Sequence, residues 1–244
     1  MRTVRDHYNL FLGNVYSWIL GDFESARQRN AGLFDSLGLR PDGNAIAVDL
    51  GCGPGCQSLP LAERGYDVLA IDFCQSLIDE LGQRRGTASI RTVCDDLLNF
   101  RSHMSEPAEL IVCMGDTLVH LPDINSVERV IDDVCDSLRP GGRFIYAIRD
   151  YMTGVPEGRD RFIPIRSSDE QIFTCFLDYG EEKVHVHDIL HRKVGGEWKT
   201  EISDYLKLRL DSHQIDGHLR RRGLEISGRS LADGMIVVVA KRPA

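Results

Sequence analysis

The chain has 244 residues, with 29 Lys and Arg against 37 Asp and Glu for a net charge of −8. At roughly 150 residues per domain that is between one and two domains, and an apolar content of 42% is ample for a core. The acidic balance repels phosphate backbones and argues against nucleic acid as a partner, while 27% charged residues argue against a fibrous or disordered chain.

The N-terminal stretch breaks its apolar runs with Asn, Gly and Asp, so it lacks a signal-peptide core. No run approaches the roughly 20 apolar residues of a membrane span. A cytoplasmic protein without membrane contact is expected. The cysteines Cys52, Cys56, Cys74, Cys94, Cys113, Cys135 and Cys175 are scattered and form no C-x-x-C pair. They read as free thiols of a reduced compartment, with no metal site and no disulfide framework.

In chain order, residues 1–43 form an N-terminal segment ahead of the first strand. Residues 45–50, AIAVDL, are a nearly continuous apolar run followed by Gly, as in a strand buried on both faces of a parallel sheet. A helix over 57–64 ends at Gly65, a strand covers 67–72, a helix over 75–85 stops at Gly86, and strands cover 89–94 and 109–114. The helix at 125–138 carries Val127, Val130, Ile131, Val134 and Leu138 on one stripe. Pro140-Gly141-Gly142 then turns the chain into a strand at 143–148. This alternation implies a doubly wound α/β sheet with right-handed crossovers.

After residue 150 the pattern changes. Residues 170–177, 184–193 and 197–210 read as three antiparallel strands, with glycine-bearing turns between them. A helix at 212–222 and strands at 224–228 and 235–241 return to the α/β pattern. The antiparallel segment at 151–210 is therefore an insertion in one domain, whose core is 44–150 together with 211–244.

The strongest chemical signal is AVDLGCGPGCQS. A strand ends in Asp49 and runs into Gly51-Cys52-Gly53-Pro54-Gly55, where missing side chains let the backbone approach a ligand beyond the strand ends. A dinucleotide fingerprint would need Gly at Cys56, and the loop lacks the Lys-Ser/Thr of a P-loop. Asp72 ends the second strand, where a carboxylate can accept two hydrogen bonds from ribose hydroxyls or cap the next helix. Asp95-Asp96-Leu97 follows the third strand and can hold an adenine amino group, with helix capping as the competing role.

Together the G-x-G-x-G loop, Asp72 and Asp95-Asp96 resemble the S-adenosylmethionine site of class I methyltransferases over residues 45–150 and 211–242. The resemblance implies a seven-stranded Rossmann-like sheet, S-adenosylmethionine as cofactor, and Phe73, Met114 and Gly115 as further cofactor contacts. Residues 111–122, containing Gly115-Asp116-Thr117 and His120-Leu121, resemble the G-N-S-x-x-H-L stretch of glycine and sarcosine N-methyltransferases. Arg149-Asp150-Tyr151 is similar to their R-N-Y, whose Arg holds the amino-acid carboxylate. Those enzymes also carry an N-terminal lid and extra antiparallel strands. Asp116 stands in place of Asn and Thr117 in place of Ser, which puts glycine itself in question as the substrate.

The reading is methyl transfer to the nitrogen of a small carboxylate-bearing metabolite. Arg149, Tyr151, Tyr8 and Thr117 are the expected substrate contacts. Arg149 can pair bidentately with a carboxylate, unless Asp150 or another acid claims it internally. Asp116, His120 and Tyr16 are the candidates for catalytic roles: Asp116 to accept from the substrate ammonium, His120 as a base or a structural histidine, Tyr16 to contribute a hydroxyl from the lid. The competing readings are an O-methyltransferase of a small hydroxylated or carboxylic metabolite, a non-catalytic S-adenosylmethionine-binding protein, and a nicotinamide-dependent oxidoreductase. An Asp/Asn-Pro-Pro-Tyr motif, by which amino methyltransferases grip a flipped base, is missing. His185, His187 and His191 alternate on one strand face and read as a polar face.

Overall fold

The computed structural model describes residues 2–43 and 45–244. Its centre is a seven-stranded sheet of β1 (Ile46–Leu50), β2 (Asp67–Asp72), β3 (Ile90–Cys94), β4 (Ala108–Cys113), β5 (Leu138–Ile148), β10 (Glu225–Ala232) and β11 (Met235–Lys241), in the order β10-β11-β5-β4-β1-β2-β3. β1 to β5 run parallel, and β11 pairs antiparallel with both β5 and β10. From β1 the chain builds outward first to β2 and β3, then crosses to β4 and β5. The carboxyl ends of β1 and β4 therefore form the point where strand order reverses and open α/β sheets bind ligands.

Both faces of the sheet are covered, which is why its strands are apolar without alternation. Val48, Ile111, Phe144 and Tyr146 pack on one face against Val127, Val130, Ile131 and Val134 of α6 (Ile124–Ser137) and Leu219 of α7 (Ser212–Arg221). On the other, Ala47, Val112 and Ile145 meet Leu61 of α4 (Ser58–Glu63), Leu81 of α5 (Gln75–Arg84) and Phe34 of α3 (Phe23–Ser36). Each fully buried aliphatic or Phe side chain contributes roughly 1.5–3 kcal/mol relative to exposure. The α6 stripe is the one its sequence spacing predicts. Asp123 caps α6 by accepting from the Ser126 N–H at 2.8 Å.

Two expectations are corrected. The Pro140-Gly141-Gly142 turn is absorbed into β5, which starts at Leu138 opposite an irregularity at Ala108/Leu110. Gly142 is needed there because a Cβ would fall 2.8 Å from the Arg139 carbonyl oxygen. The insertion has four strands rather than three: β6 (Phe162–Ser167), β7 (Gln171–Tyr179), β8 (Lys183–Val194) and β9 (Glu197–Leu208), an antiparallel meander in that order. β6 escapes sequence reasoning because Pro164 interrupts it, and an edge strand with a register shift tolerates that proline.

The N-terminal segment forms α1 (Val4–Leu10), a 3-10 turn, α2 (Tyr16–Ile19) and α3. α1 lies against β9, while α3 joins the sheet core through Phe34. All seven cysteines are free, and five of them are buried. Among the described residues no helix is long and apolar enough to cross a membrane.

Candidate active site at the strand-reversal point

A cavity of about 830 Å³ opens at the carboxyl ends of β1, β2, β4 and β5, roofed by α1 and α2 and flanked by β9. Gly51 and Gly53 line it with φ of 72° and 50°, the left-handed region that glycine enters without strain. A Cβ at Gly51 would collide with Thr117 Cγ2 at 2.4 Å, so the loop and the β4 exit are fitted to each other. Tyr16 lies over the loop, 3.7 Å from where a Gly53 Cβ would sit. Asp72 closes the far side. It accepts the Gly53 N–H at 2.9 Å and the Cys74 N–H at 2.8 Å, which fixes its carboxylate at the cavity edge. Each oxygen keeps lone-pair capacity for a ligand hydroxyl.

Opposite the glycine loop stands the exit of β4. Thr117 donates to the Met114 carbonyl at 2.7 Å, and Met114, Gly115 and Thr117 all line the cavity. Asp116 adopts φ of 72°, unusual for a residue with a Cβ, and turns away from the cavity. One of its oxygens accepts the Arg149 N–H at 2.9 Å; the other accepts from Tyr151 Oη and Lys207 Nζ, each at 2.8 Å. Burial opposes its ionisation, yet the Lys207 ammonium holds the carboxyl below the ordinary carboxylate range. His120 lines the cavity between the rings of Tyr8 and Tyr205, with both centroids 5.5 Å away. Burial first, then the Lys207 charge, lowers its pKa to about 3, so its imidazole is uncharged. Burial and neighbouring groups push the phenols of Tyr8 and Tyr16 upward, keeping both as donors.

Residues 47–142 match the methyltransferase domain family. Over 157 residues, 63% of this chain, the sequence is 26% identical to a glycine/sarcosine N-methyltransferase of Aphanothece halophytica. Over 150 residues, 56% of the chain, it is 24% identical to the glycine N-methyltransferase of Rattus norvegicus. These matches span 59% and 51% of the two relatives' own lengths. A stretch of 102 residues, 41% of the chain, is 29% identical to a ubiquinone biosynthesis O-methyltransferase of Coxiella burnetii, covering 42% of it. An S-adenosylmethionine-dependent methyltransferase from Clostridium acetobutylicum superposes with a TM-score of 0.75 at 18% identity, over 97% of this chain and 99% of that one. Residues 47–142 thus carry a methyltransferase domain, on a fold shared with S-adenosylmethionine-dependent methyltransferases.

The cavity fits S-adenosylmethionine, because its glycine cradle and the fixed carboxylate of Asp72 meet at one edge. Of the residues expected at the cofactor, Gly51, Cys52, Gly53, Asp72 and Phe73 line the cavity. So do Asp96, Leu97, Met114 and Gly115. Asp49, Gly55 and Asp95 do not line the cavity. A Cβ at Gly55 would meet Leu81 at 2.4 Å, so that glycine serves helix packing. Asp95 is occupied by the Asp96 N–H, Asn99 and His103. Asp49 accepts from Ser58 Oγ at 2.6 Å and leaves its other oxygen without a partner among the described residues.

Among the expected acceptor-side residues, Arg149, Tyr8, Tyr16, Thr117 and His120 share the cavity, whereas Asp116 and Tyr151 support its wall. The Asp150 carboxylate is taken by the Met152 and Thr153 N–H groups and the Thr153 hydroxyl, so it does not claim Arg149. Arg161 is committed to Asp178 and Arg166 to the Trp18 carbonyl. His185 pairs with Asp204 at 2.7 Å and His191 with Thr200 at 2.9 Å.

Three site residues escape sequence reasoning. Lys207 is half-buried on the meander, its side chain 13% exposed, and its only sequence signal is two-residue alternation with Tyr205 on β9. Arg29 of α3 and Asp233 of the β10–β11 turn both line the cavity and pair at 3.1 Å across 204 residues of chain. No local pattern links them.

Proposed function

We propose that the chain transfers a methyl group from S-adenosylmethionine to the nitrogen of a small, amino-acid-like metabolite. The observation that carries this reading is Arg149. It leaves the carboxyl end of β5 into the cavity, its backbone is pinned by Asp116, and the adjacent acid in sequence, Asp150, is spent on the following turn. A planar guanidinium so placed suits a bidentate carboxylate. Each charge-assisted bond is worth roughly 1.5–3 kcal/mol.

When bound, S-adenosylmethionine supplies an activated methyl group on a sulfonium, so the protein's task is alignment and exclusion of water. The glycine loop and Asp72 hold the cofactor end. Arg149 orients the acceptor, and Tyr8 and Tyr16 roof the gap with phenols that stay protonated. The N-methyltransferase relatives support this acceptor class, and the shorter match to an O-methyltransferase covers only part of the chain.

Isothermal titration tests the reading. The wild type is expected to bind S-adenosylhomocysteine in the micromolar range, and absence of binding overturns the cofactor assignment. In a screen of amino acids and related amines with labelled cofactor, Arg149→Ala is expected to lose acceptor binding at least about tenfold with cofactor affinity nearly unchanged. Loss of both affinities together would make Arg149 structural.

A further inference from the structure

We propose that Lys207 is a positioning residue for the acceptor side of this cavity, committing Asp116 to the wall and fixing His120 as a hydrogen-bond donor through Nε2. The inference rests on the cavity being the methyl-transfer site. β9 presents Tyr205 and Lys207 on one face: the Tyr205 ring stacks on His120 with 18° between planes, and the Lys207 ammonium reaches Asp116 at 2.8 Å and Tyr151 Oη at 3.1 Å. Asp116 thereby has both oxygens engaged away from the cavity and does not line it, so it does not grip a substrate ammonium.

The His120 ring is constrained from its other side. Its Nδ1 is sealed from solvent without any hydrogen-bond partner among the described residues, so the ring meets the cavity along the edge that carries Nε2. An imidazolium would bury an N–H with no acceptor there. A neutral ring with its hydrogen on Nε2 leaves only a lone pair unmatched, the smaller cost. The charged and titratable groups around the ring are Lys207 and Tyr205 of β9, Asp116 after β4, and His7 and Tyr8 of α1. After burial, Lys207 is the strongest influence against protonation, and Asp116 opposes it more weakly.

The consequence defines the acceptor further. It enters as a free amine that also carries an oxygen for the Nε2–H to meet. Its nitrogen lone pair forms the new bond to carbon while the carbon–sulfur bond breaks with its electron pair left on sulfur. The resulting ammonium gives its proton to water, and His120 takes none.

Two-dimensional NMR of protein labelled with ¹⁵N-histidine, alone and with S-adenosylhomocysteine, tests this without any acceptor. The wild type should show His120 as the neutral Nε2–H tautomer at every pH from about 5.5 to 9. With the titration carried down to about pH 3, Lys207→Met should raise the His120 midpoint by at least about one pH unit, while Lys207→Arg retains the wild-type midpoint. Should Lys207→Met fail to fold, Asp116→Asn/Lys207→Met leaves neither charge unpaired, and its His120 midpoint should still lie above wild type. A charged His120 or an Nδ1–H tautomer in the wild type overturns the proposal, as does a pH response unchanged in the Lys207 variant that folds. Failure to bind S-adenosylhomocysteine would instead remove the underlying reading.

Discussion

Asp49 is 1% exposed, and one of its oxygens has no partner among the described residues. Burial raises its pKa from 3.8 to about 7, so the folded chain prefers the protonated acid. Between those values the folded state binds more protons than the unfolded state, and stability falls as pH rises. Three pH units correspond to on the order of 4 kcal/mol at most. Asp49→Asn keeps an acceptor for Ser58 and removes the charge. It is expected to raise the Tm of the ligand-free protein at pH 8 by several degrees and to flatten the pH dependence between about 4 and 7; calorimetry at pH 4 and pH 8 that shows equal shifts would contradict this. His120 acts in the opposite sense. Its pKa is depressed to about 3, so its contribution is lost as pH falls from roughly 6.5 through 3. The glycine loop and the G-D-T-x-x-H stretch were legible as a site because each carries its residues within a few positions. The outward turn of Asp116 was not, since Lys207 lies 91 positions away.

Among elements, the strand-to-loop junction of β1 shows how tightly the cavity is built. Gly51 combines φ of 72° with a Cβ position 2.4 Å from Thr117 Cγ2. Gly51→Ala therefore carries both backbone strain and a clash, at a cost of roughly 1–3 kcal/mol. S-adenosylhomocysteine affinity should fall at least about tenfold for the same cost, and Thr117→Ala added to Gly51→Ala should recover part of it. Titration showing no recovery would assign the defect to backbone strain alone. The parallel strands were readable because burial on both faces demands unbroken apolar runs. β6 was not, because its pairing with β7 outweighs the local penalty of Pro164.

At the scale of the molecule, His7 joins the N-terminal cover to the meander. It is fully buried, its ring stacks on Tyr205 at 4.2 Å, and its nitrogens meet Ser203 Oγ at 2.8 Å and Asp188 at 3.0 Å. The next residue, Tyr8, lines the cavity, so the same contact that docks α1 completes the roof. His7→Leu leaves Asp188 and Ser203 short of partners, at roughly 1–3 kcal/mol. Faster hydrogen exchange over residues 4–10 and weaker S-adenosylhomocysteine binding should follow, with exchange in β1 and β4 unchanged. Equal protection of α1 in both proteins would show that the cover is held elsewhere.

The doubly wound sheet and its glycine loop were readable along the chain, because apolar periodicity and short motifs are local properties. Only the tertiary structure decided which polar groups face the cavity. Asp116, Tyr151, Asp95 and Asp49 look equivalent in sequence to residues that line it, yet their carboxylates and hydroxyl are engaged away from the cavity by Lys207, His103 and Ser58. A buried polar group turns toward whatever satisfies its hydrogen bonds, and those partners are brought together only when the meander and the N-terminal cover close over the sheet.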